Sequence, residues 1–325
     1  MHKVVAPKKV DLNTTQIFID ALEQCIKDPV VAVDLRGIEF ITPTSMLLIG
    51  SNIRRWQKFR REHALKTMLG RDDKNDSLKY MSHMGFFDYI NASNSEGKKM
   101  GEAHGSSTYI PIIEIKKPLF VNLQDWYEEI ISSVRGLANV LAGTFHDTEE
   151  HRFFIYTLRE IVRNVFEHSN AENCFICGQR WGNGRVEIGI LDEGIGIQKS
   201  LSKSFRVKDD NQAIKMAIKP GVSSTSHIST DLNQYDNSGY GLYVLSEVVA
   251  SFGKFSIGSN TRRMTITKNN QKIDTSSFAG TYIGIEMDSA PKQFSTLLKD
   301  IIDAGESEAG ATKVASSASK MSKLG

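Results

Sequence analysis

Three side chains suited to a metal–nucleotide site recur at helical spacing in the segment LREIVRNVFEHS. Glu160, Asn164 and His168 are four residues apart, which puts them on one face of a helix. An asparagine oxygen is a hard ligand of the kind that Mg²⁺ accepts. A glutamate beside it could orient or deprotonate a water molecule. Taken alone, the same spacing is also typical of an ordinary solvated helix face.

A second segment, VEIGILDEGIGI, has the pattern of a contact with a base. Its apolar strand ends at Asp192, and Gly194, Gly196 and Ile197 follow directly. A carboxylate at a strand end can accept a hydrogen bond from an exocyclic amine such as that of adenine. Glycines there let a base or a ribose approach the backbone closely. A simple turn would show the same pattern.

A third segment, DNSGYGLYVLSEVV, predicts a helix over 241–251 that begins at a glycine-rich turn. Backbone N–H groups at a helix N-terminus bind phosphate, and glycines expose them. The segment contains neither the Walker lysine motif nor a dinucleotide-binding fingerprint. The residues predicted to line this part of a cofactor site are Asn237, Ser238, Gly239, Tyr240, Gly241 and Leu242.

The three segments in this order, with a long polar loop between the second and the third, resemble the histidine-kinase-like (GHKL) ATPase domain over residues 146–290. REIVRNVFEHS resembles its N box, DEGIGI and NSGYGL its two glycine boxes, and GTYIGIEM its closing strand. The resemblance implies an α/β sandwich of the Bergerat type with a mixed sheet, Mg²⁺ and ATP as ligands, and a lid over 198–236. It also implies roles: Asn164 binds Mg²⁺, Glu160 is the general base, and Asp192 and Thr281 contact adenine. His168 is expected to line the site.

The fate of the phosphate stays open among three functions. We expect an ATPase switch in bacterial regulation or stress signalling, in which lid closure alters contacts with the N-terminal domain or a partner. Glu160 at the base position favours hydrolysis. One alternative is an anti-sigma-type serine/threonine protein kinase acting on a separate STAS partner, and another is a nucleotide-binding scaffold that does not hydrolyse ATP. His146 and His151 lie too close to the N box for a separate phosphoacceptor domain, which argues against histidine autophosphorylation.

The first part of the chain, residues 1–108, predicts a small α/β domain. VVAVD (30–34) and ALKTMLG (64–70) have the pattern of buried strands, and the apolar spacing between them predicts an amphipathic helix. VVAVDLRGIEFITPTSMLLIG resembles a STAS domain, the fold of anti-sigma factor antagonists. Pro43 stands at the usual phosphoacceptor serine, so we do not expect phosphorylation of this domain. Thr44 or Ser45 is predicted to cap the helix.

The remaining segments connect or follow these two domains. Residues 109–145 predict a connecting strand and helix, and residues 262–287 predict a hairpin that is separate from a strand over 254–258. Residues 291–325 predict the end of a helix and then a disordered tail, because the sequence after residue 303 is small and polar. Basic side chains crowd residues 54–71. Without aromatic interleaving or a binding motif, they are expected to form a solvated helix face rather than a nucleic-acid site.

Composition and charge are those of an ordinary globular protein. The formal net charge is +2, and 40% of the residues are hydrophobic, which gives no electrostatic argument for nucleic acid or membrane partners. No apolar run is long enough to span a bilayer, and three cysteines without framework spacing predict reduced thiols and a cytoplasmic location. Cys174 and Cys177 would point to opposite faces of a strand, so they do not predict a metal or redox pair. We expect ATP and a regulatory protein as partners, and a homodimer stays open.

Overall fold

The computed structural model describes residues 1–72, 74–92, 107–119, 122–224, 238–312 and 323. The chain has an α/β fold and divides into two compact units. Unit 1 comprises Met1–Glu114, Phe175–Gln179 and Glu187–Leu191, and unit 2 comprises Ile115–Cys174, Arg180–Val186 and Asp192–Gly325. Short pieces of two strands from the second half of the chain therefore belong to unit 1.

Strands and helices alternate through the first part of unit 1. In chain order they are β1 (His2–Val5), β2 (Lys9–Val10), α1 (Leu12–Gln24), β3 (Val30–Asp34), β4 (Phe40–Ile41), α2 (Pro43–Glu62), β5 (Lys66–Gly70), α3 (Asp76–His83) and α4 (Phe86–Tyr89). A parallel three-stranded sheet has the order β1-β3-β5, and β2 pairs in parallel with β4. The predicted strands over 30–34 and 64–70 are present as β3 and β5. The sequence did not predict β1, because four residues paired only with a distant strand leave no periodic signal.

Helix α2 begins two or three residues earlier than its sequence suggested. Thr42 is the N-cap, and its hydroxyl accepts a hydrogen bond from the backbone N–H of Ser45 at 3.3 Å. The expectation that Thr44 or Ser45 caps the helix is wrong. Pro43 occupies the first helical position, where its missing N–H is not needed, and this fixes the start of the helix. Thr44 and Ser45 are buried.

The basic residues of α2 and β5 are only partly a solvated face. Arg60 is fully buried, and its guanidinium donates to the backbone oxygens of Cys25, Ile26, Asp28 and Lys66. It also lies over the ring of Trp56. The prediction of a solvated face is therefore wrong for Arg60. Five donors in a rigid fork can satisfy several carbonyl groups at once, which a charge count along the chain does not reveal.

The chain from Tyr109 onward forms a five-stranded sheet and further helices. They are β6 (Tyr109–Lys116), α5 (Leu123–Ala142), α6 (Glu149–His168), β7 (Asn173–Arg180), β8 (Val186–Asp192), α7 (Ile197–Leu201), α8 (Asp210–Ala217), α9 (Gly241–Phe252), β9 (Gly253–Thr267), β10 (Asn270–Met287) and α10 (Phe294–Thr312). The strand order is β6-β7-β8-β10-β9. Strands β9 and β10 form one long antiparallel hairpin.

Two predicted segments of unit 2 differ from the structure. The strand over 254–258 and the hairpin over 262–287 are not separate, because β9 runs without a break to Thr267. The prediction left residues 259–261 between the two segments, but they belong to β9, where the Asn260 amide and the Thr261 hydroxyl donate to the Asp210 side chain of α8. The tail predicted after residue 303 is helical as far as Thr312.

Small residues explain why the sequence of α10 was misread as a tail. A Cβ atom added at Gly305 would lie 2.6 Å from the Tyr243 ring of α9. Ala309 is fully buried. The small side chains let the two helices approach closely, whereas in a sequence they reduce the apparent hydrophobicity of the segment.

Several simpler findings limit the kinds of site that the described residues contain. Cys25, Cys174 and Cys177 are buried and form no disulfide. No group of three or more His, Cys, Asp or Glu side chains in the described ranges is arranged to hold a metal ion. Across the same residues, no helix is both long and apolar enough to cross a membrane.

Candidate nucleotide site

Helix α6 carries the first group of predicted site residues, and all its contacts described here lie within unit 2. Thr148 caps its N-terminus by accepting from the backbone N–H of His151 at 3.2 Å. Glu149 and Glu150 in the first turn favour the positive end of the helix dipole. Phe153, Phe154, Leu158 and Val162 are buried, so the helix is held by an apolar stripe as its sequence predicts.

Glu160 is fully buried among charged neighbours on the same helix. Its Oε1 atom contacts the guanidinium groups of Arg159 at 3.2 Å and Arg163 at 3.3 Å. Its Oε2 atom accepts no hydrogen bond within the described residues. Arg163 also pairs with Glu167 at 2.9 Å. The sequence did not predict these ion pairs, although Arg163 follows Glu160 at helical spacing and Arg159 directly precedes it.

The Oε2 atom of Glu160, which accepts no hydrogen bond within the described residues, lies against the start of α9. A Cβ atom added at Gly241 would stand 2.1 Å from Oε2. Tyr240, the N-cap residue, makes no side-chain hydrogen bond to the first N–H groups of α9. The positive end of the helix dipole therefore faces a carboxylate oxygen, which is a favourable arrangement.

Asn164 and His168 continue the same stripe of α6 in different environments. Asn164 is half-buried, and its side chain makes no hydrogen bond within the described residues. The His168 ring is half-buried, and its Nδ1 atom lies 2.9 Å from the Ser224 hydroxyl. Burial, and then the charge of Arg163, lowers the pKa of His168 to about 3. His168 is thus a neutral ring at physiological pH and cannot supply a positive charge to a phosphate.

Asp192 ends β8 as a buried carboxyl group. The backbone N–H of Gly194 donates to its Oδ1 atom at 2.9 Å, and Thr281 of β10 donates to it through both backbone and side chain. Burial raises the pKa of Asp192 to about 7, and these hydrogen bonds oppose that rise only in part. The structure brings Asp192 and Thr281 together. Gly280, which the sequence did not single out, brings β10 against the Asp192 carbonyl.

The loop after Asp192 is tied to both α6 and the hairpin. The backbone N–H of Ile195 donates to the Ser169 carbonyl at 2.8 Å. Gly196 has a positive φ of 76°, and the N–H of Ile197 donates to the Ser259 hydroxyl at 3.0 Å. Ser259 in turn donates to the Gly280 carbonyl at 2.8 Å. Ser259 lies outside every motif, so no sequence signal marked it.

The predicted phosphate segment is described from Ser238 onward, and Asn237 lies outside the described residues. Gly239 has a positive φ of 74°, and a Cβ atom there would meet the Val222 backbone at 2.6 Å. Tyr240 is buried and Leu242 is half-buried. Gly239 therefore packs directly against Val222, near the end of the described part of the predicted lid.

The described part of the predicted lid, residues 198–224, is packed rather than loose. The sequence predicted one helix there, over 209–219, and the structure has α8 in that place and α7 before it. The Asp210 side chain accepts hydrogen bonds from Asn260 at 3.0 Å and from the Thr261 hydroxyl at 2.6 Å. Residues 225–236 lie outside the described residues.

Helix α6 connects the two ends of the candidate site. Glu160 touches the N-terminus of α9, and Ser169 touches the loop that follows Asp192. Nine positions separate them, from 160 to 169, or about 13 Å along a helix at 1.5 Å per residue. Asn164 lies between them. This span is comparable with the length of an extended nucleoside triphosphate.

Comparisons with known proteins add little to this geometry. No protein-family model matches the chain, and no curated protein matches it. A histidine kinase domain from the blue-light activated histidine kinase of Erythrobacter litoralis EL346 aligns with 76% of this chain and 96% of its own length. The identity is 10% and the TM-score is 0.22. Agreement at this level carries no argument about function.

Proposed function

We propose that this chain is a GHKL-type protein that binds Mg-ATP along α6. In this proposal, Asp192 and Thr281 hold adenine, and the N-terminus of α9 at Gly241 holds the phosphates. The observation that carries the proposal is that one helix contacts both places, about 13 Å apart along its axis. Exposed N–H groups at a helix N-terminus are a general anion site.

The residues present are compatible with a magnesium ion that arrives on the nucleotide. Mg²⁺ usually keeps several waters and takes one or two protein ligands together with phosphate oxygens. A dedicated cluster of acidic ligands is therefore not required. Asn164 would provide the amide oxygen, because its side chain has no competing hydrogen bond within the described residues. The ion would neutralise phosphate charge beside the carboxylate of Glu160.

We propose that bound ATP acts as a switch and is hydrolysed. Glu160 is the one carboxylate beside the helix N-terminus whose second oxygen lacks a partner within the described residues. An adjacent water could use this oxygen as a base. In this proposal the STAS-like first part of the chain, or a regulatory protein partner, senses the nucleotide state.

The contacts of Glu160 also favour a second candidate, a nucleotide-binding scaffold with little or no hydrolysis. Two guanidinium groups share the Oε1 atom. These ion pairs hold the side chain in place against the start of α9. In this candidate, Glu160 joins α6 to α9 and has no chemical step.

Purified full-length protein and radiolabelled Mg-ATP distinguish these functions. Calorimetric titration first measures binding to the wild type and to Asp192→Asn, with Thr275→Ala on an exposed part of β10 as the control. The proposed site is supported if Asp192→Asn loses Mg-ATP binding while the Thr275→Ala control keeps it. Unchanged binding in Asp192→Asn contradicts the site. Release of free phosphate that Glu160→Gln abolishes supports the switch. Binding without turnover supports the scaffold, and labelled STAS-type protein added to the reaction would support the kinase alternative.

A further inference from the structure

A cavity in unit 1, distant in sequence from every residue of the nucleotide site, has the chemistry of an anion site. It is open to solvent on one side, has a volume of about 490 Å³, and is lined by residues of α2 and β5 and by the two residues after the α4 C-cap. That volume is within the range of small-molecule pockets, which is roughly 300–1,000 Å³. Among the described lining residues none is acidic, whereas two are arginines, Arg61 and Arg71.

Each element presents to the cavity the residues that its own periodicity puts on one face. Thr67 and Leu69 are alternate residues of β5, and Leu65 and Arg71 continue the alternation on either side. Alternate residues of a strand share a face. β5 is at the edge of its sheet. The cavity is therefore a regular feature of the β5 face and not a gap between irregular loops.

The helix contributes one turn of α2. Gln57 and Arg61 are four residues apart and so lie on the same side of the helix. The Oε1 atom of Gln57 is enclosed and accepts no hydrogen bond within the described residues. The hydroxyl of Thr67 accepts from Arg60 at 3.0 Å, which leaves its own hydrogen available to donate. The wall thus combines hydrogen-bond donors for an anion with one acceptor for a ligand hydroxyl or amine.

The two guanidinium groups are the strongest recognition elements of this wall. Arg71 lies over the Phe87 ring at 5.5 Å from its centroid, which restrains the side chain. Arg61 is on the exposed side of α2. A guanidinium fork matches phosphate oxygens in pairs. Leu65 and Leu69 give the same cavity an apolar floor for the remainder of a ligand.

We propose that this cavity, which we name the β5 cavity, binds a small phosphate monoester with an apolar portion, through Arg61 and Arg71. The N-terminal unit is then a second ligand-binding module, independent of whether the α6 site binds ATP. The phosphate lies between the two guanidinium groups, and the apolar portion lies on Leu65 and Leu69.

Phenyl phosphate is a suitable probe, with phenol as its uncharged match and inorganic phosphate as its fragment. In calorimetric titrations, the full chain should bind phenyl phosphate, should bind inorganic phosphate more weakly, and should show no detectable binding of phenol. Arg61→Ala should weaken phenyl phosphate about tenfold, because it removes a charged hydrogen bond to the anion. Since Arg61 is exposed, this variant keeps the fold. Arg71→Ala should weaken binding at least as much.

Matched variants separate this site from non-specific attraction and from the α6 site. Lys58→Ala removes the same charge from the exposed face of α2 outside the cavity, and Asp192→Asn alters the proposed adenine contact. Both should bind phenyl phosphate as the wild type does. Equal weakening by Lys58→Ala and Arg61→Ala, or loss of binding in Asp192→Asn, would overturn the proposal. No detectable binding of phenyl phosphate by the wild type would also overturn it.

Discussion

The Oε2 atom of Glu160 occupies the space that a side chain on Gly241 would need. A Cβ atom there would lie 2.1 Å from Oε2 and 3.1 Å from the Glu160 Cδ atom. The carboxylate cannot easily turn away, because Arg159 and Arg163 hold its other oxygen. Gly241 is therefore required by a neighbouring side chain, in addition to any ligand that approaches the start of α9.

Replacing Gly241 with alanine should destabilise the protein through this contact. Overpacking a buried site costs about 1–3 kcal/mol, and we expect a loss in that range in urea denaturation. Glu160→Asp shortens the side chain while keeping its charge, so Gly241→Ala combined with Glu160→Asp should lose less than the sum of the two single changes. Additive losses would contradict the contact.

Gly136 provides the control for this substitution. It lies in α5, and a Cβ atom there would meet no heavy atom within 4 Å. Gly136→Ala should stabilise the protein by about 1 kcal/mol, because alanine is the better helix former. The predicted changes in stability have opposite signs at these two helical glycines, so the pair of variants distinguishes the effect of overpacking from that of helix propensity.

The sequence was informative where a function depends on local spacing. The stripe Glu160, Asn164 and His168 lies on α6, and Asp192 ends β8 beside Thr281, as the motifs predicted. It was uninformative where the determinant is a partner distant in the chain. Nothing near Glu160 indicates that its second oxygen faces residue 241, and nothing near Ser259 indicates its bond to Ile197.

Composition was also a poor guide to two elements. The polar run at 259–261 continues β9, because those side chains bond to Asp210 instead of to water. The small residues after 303 continue α10, because Gly305 and Ala309 pack closely. In both segments the tertiary partner decides the conformation, so an average over neighbouring residues predicts the wrong state.

The buried carboxyl group of Asp192 should make adenine recognition depend on pH. Its pKa is about 7, and an ionised carboxylate accepts a hydrogen bond from an amine more strongly than the protonated acid does. Ligand binding then favours ionisation, so affinity should rise as the pH increases through about 7. Adenosine is the appropriate ligand, because it has no phosphate that titrates in the same range.

Titrations with adenosine between about pH 5 and about pH 8 test this dependence. Asp192→Asn should bind more weakly with little change across the range. Glu193→Gln removes the adjacent exposed carboxylate, whose charge helps to raise the pKa of Asp192, so the dependence should remain with its midpoint at a lower pH. Affinity that falls with rising pH, or a dependence that persists in Asp192→Asn, would rule out this role for Asp192.

Asp192 and His168 should also contribute opposite slopes to stability against pH. The pKa of Asp192 is raised to about 7 in the folded chain, so its contribution is present below about pH 4 and is lost as the pH rises to about 7. The pKa of His168 is lowered to about 3, so its contribution is present above about pH 6.5 and is lost as the pH falls to about 3. Each shift corresponds to several kcal/mol at most, and in the wild type the two largely offset one another between about pH 4 and about pH 6.5.

Single substitutions should reveal each slope. Asp192→Asn should leave a protein whose stability rises with pH over this interval, and His168→Asn should leave one whose stability falls. Thermal or urea denaturation at several pH values measures both, with the exposed His63→Asn as the control. Parallel slopes in the two variants would refute the assignment of opposite protonation states.

Gly189 of β8 should tolerate alanine less well than Gly241 does, because its neighbour is backbone. Within unit 1, a Cβ atom at Gly189 would lie 2.6 Å from the Thr44 Cα atom and 2.9 Å from its nitrogen. The Thr44 hydroxyl also donates to the Ile188 carbonyl at 3.1 Å, which fixes α2 against this strand. Gly189→Ala should therefore cost about 2 kcal/mol or more in urea denaturation.

Gly182→Ala, whose Cβ atom would meet nothing within 4 Å, should have a much smaller effect. Adding Thr44→Ala to Gly189→Ala should give no rescue, because it leaves the clashing backbone in place; recovery of stability in that double variant would show that the strand and the helix are not packed in this way.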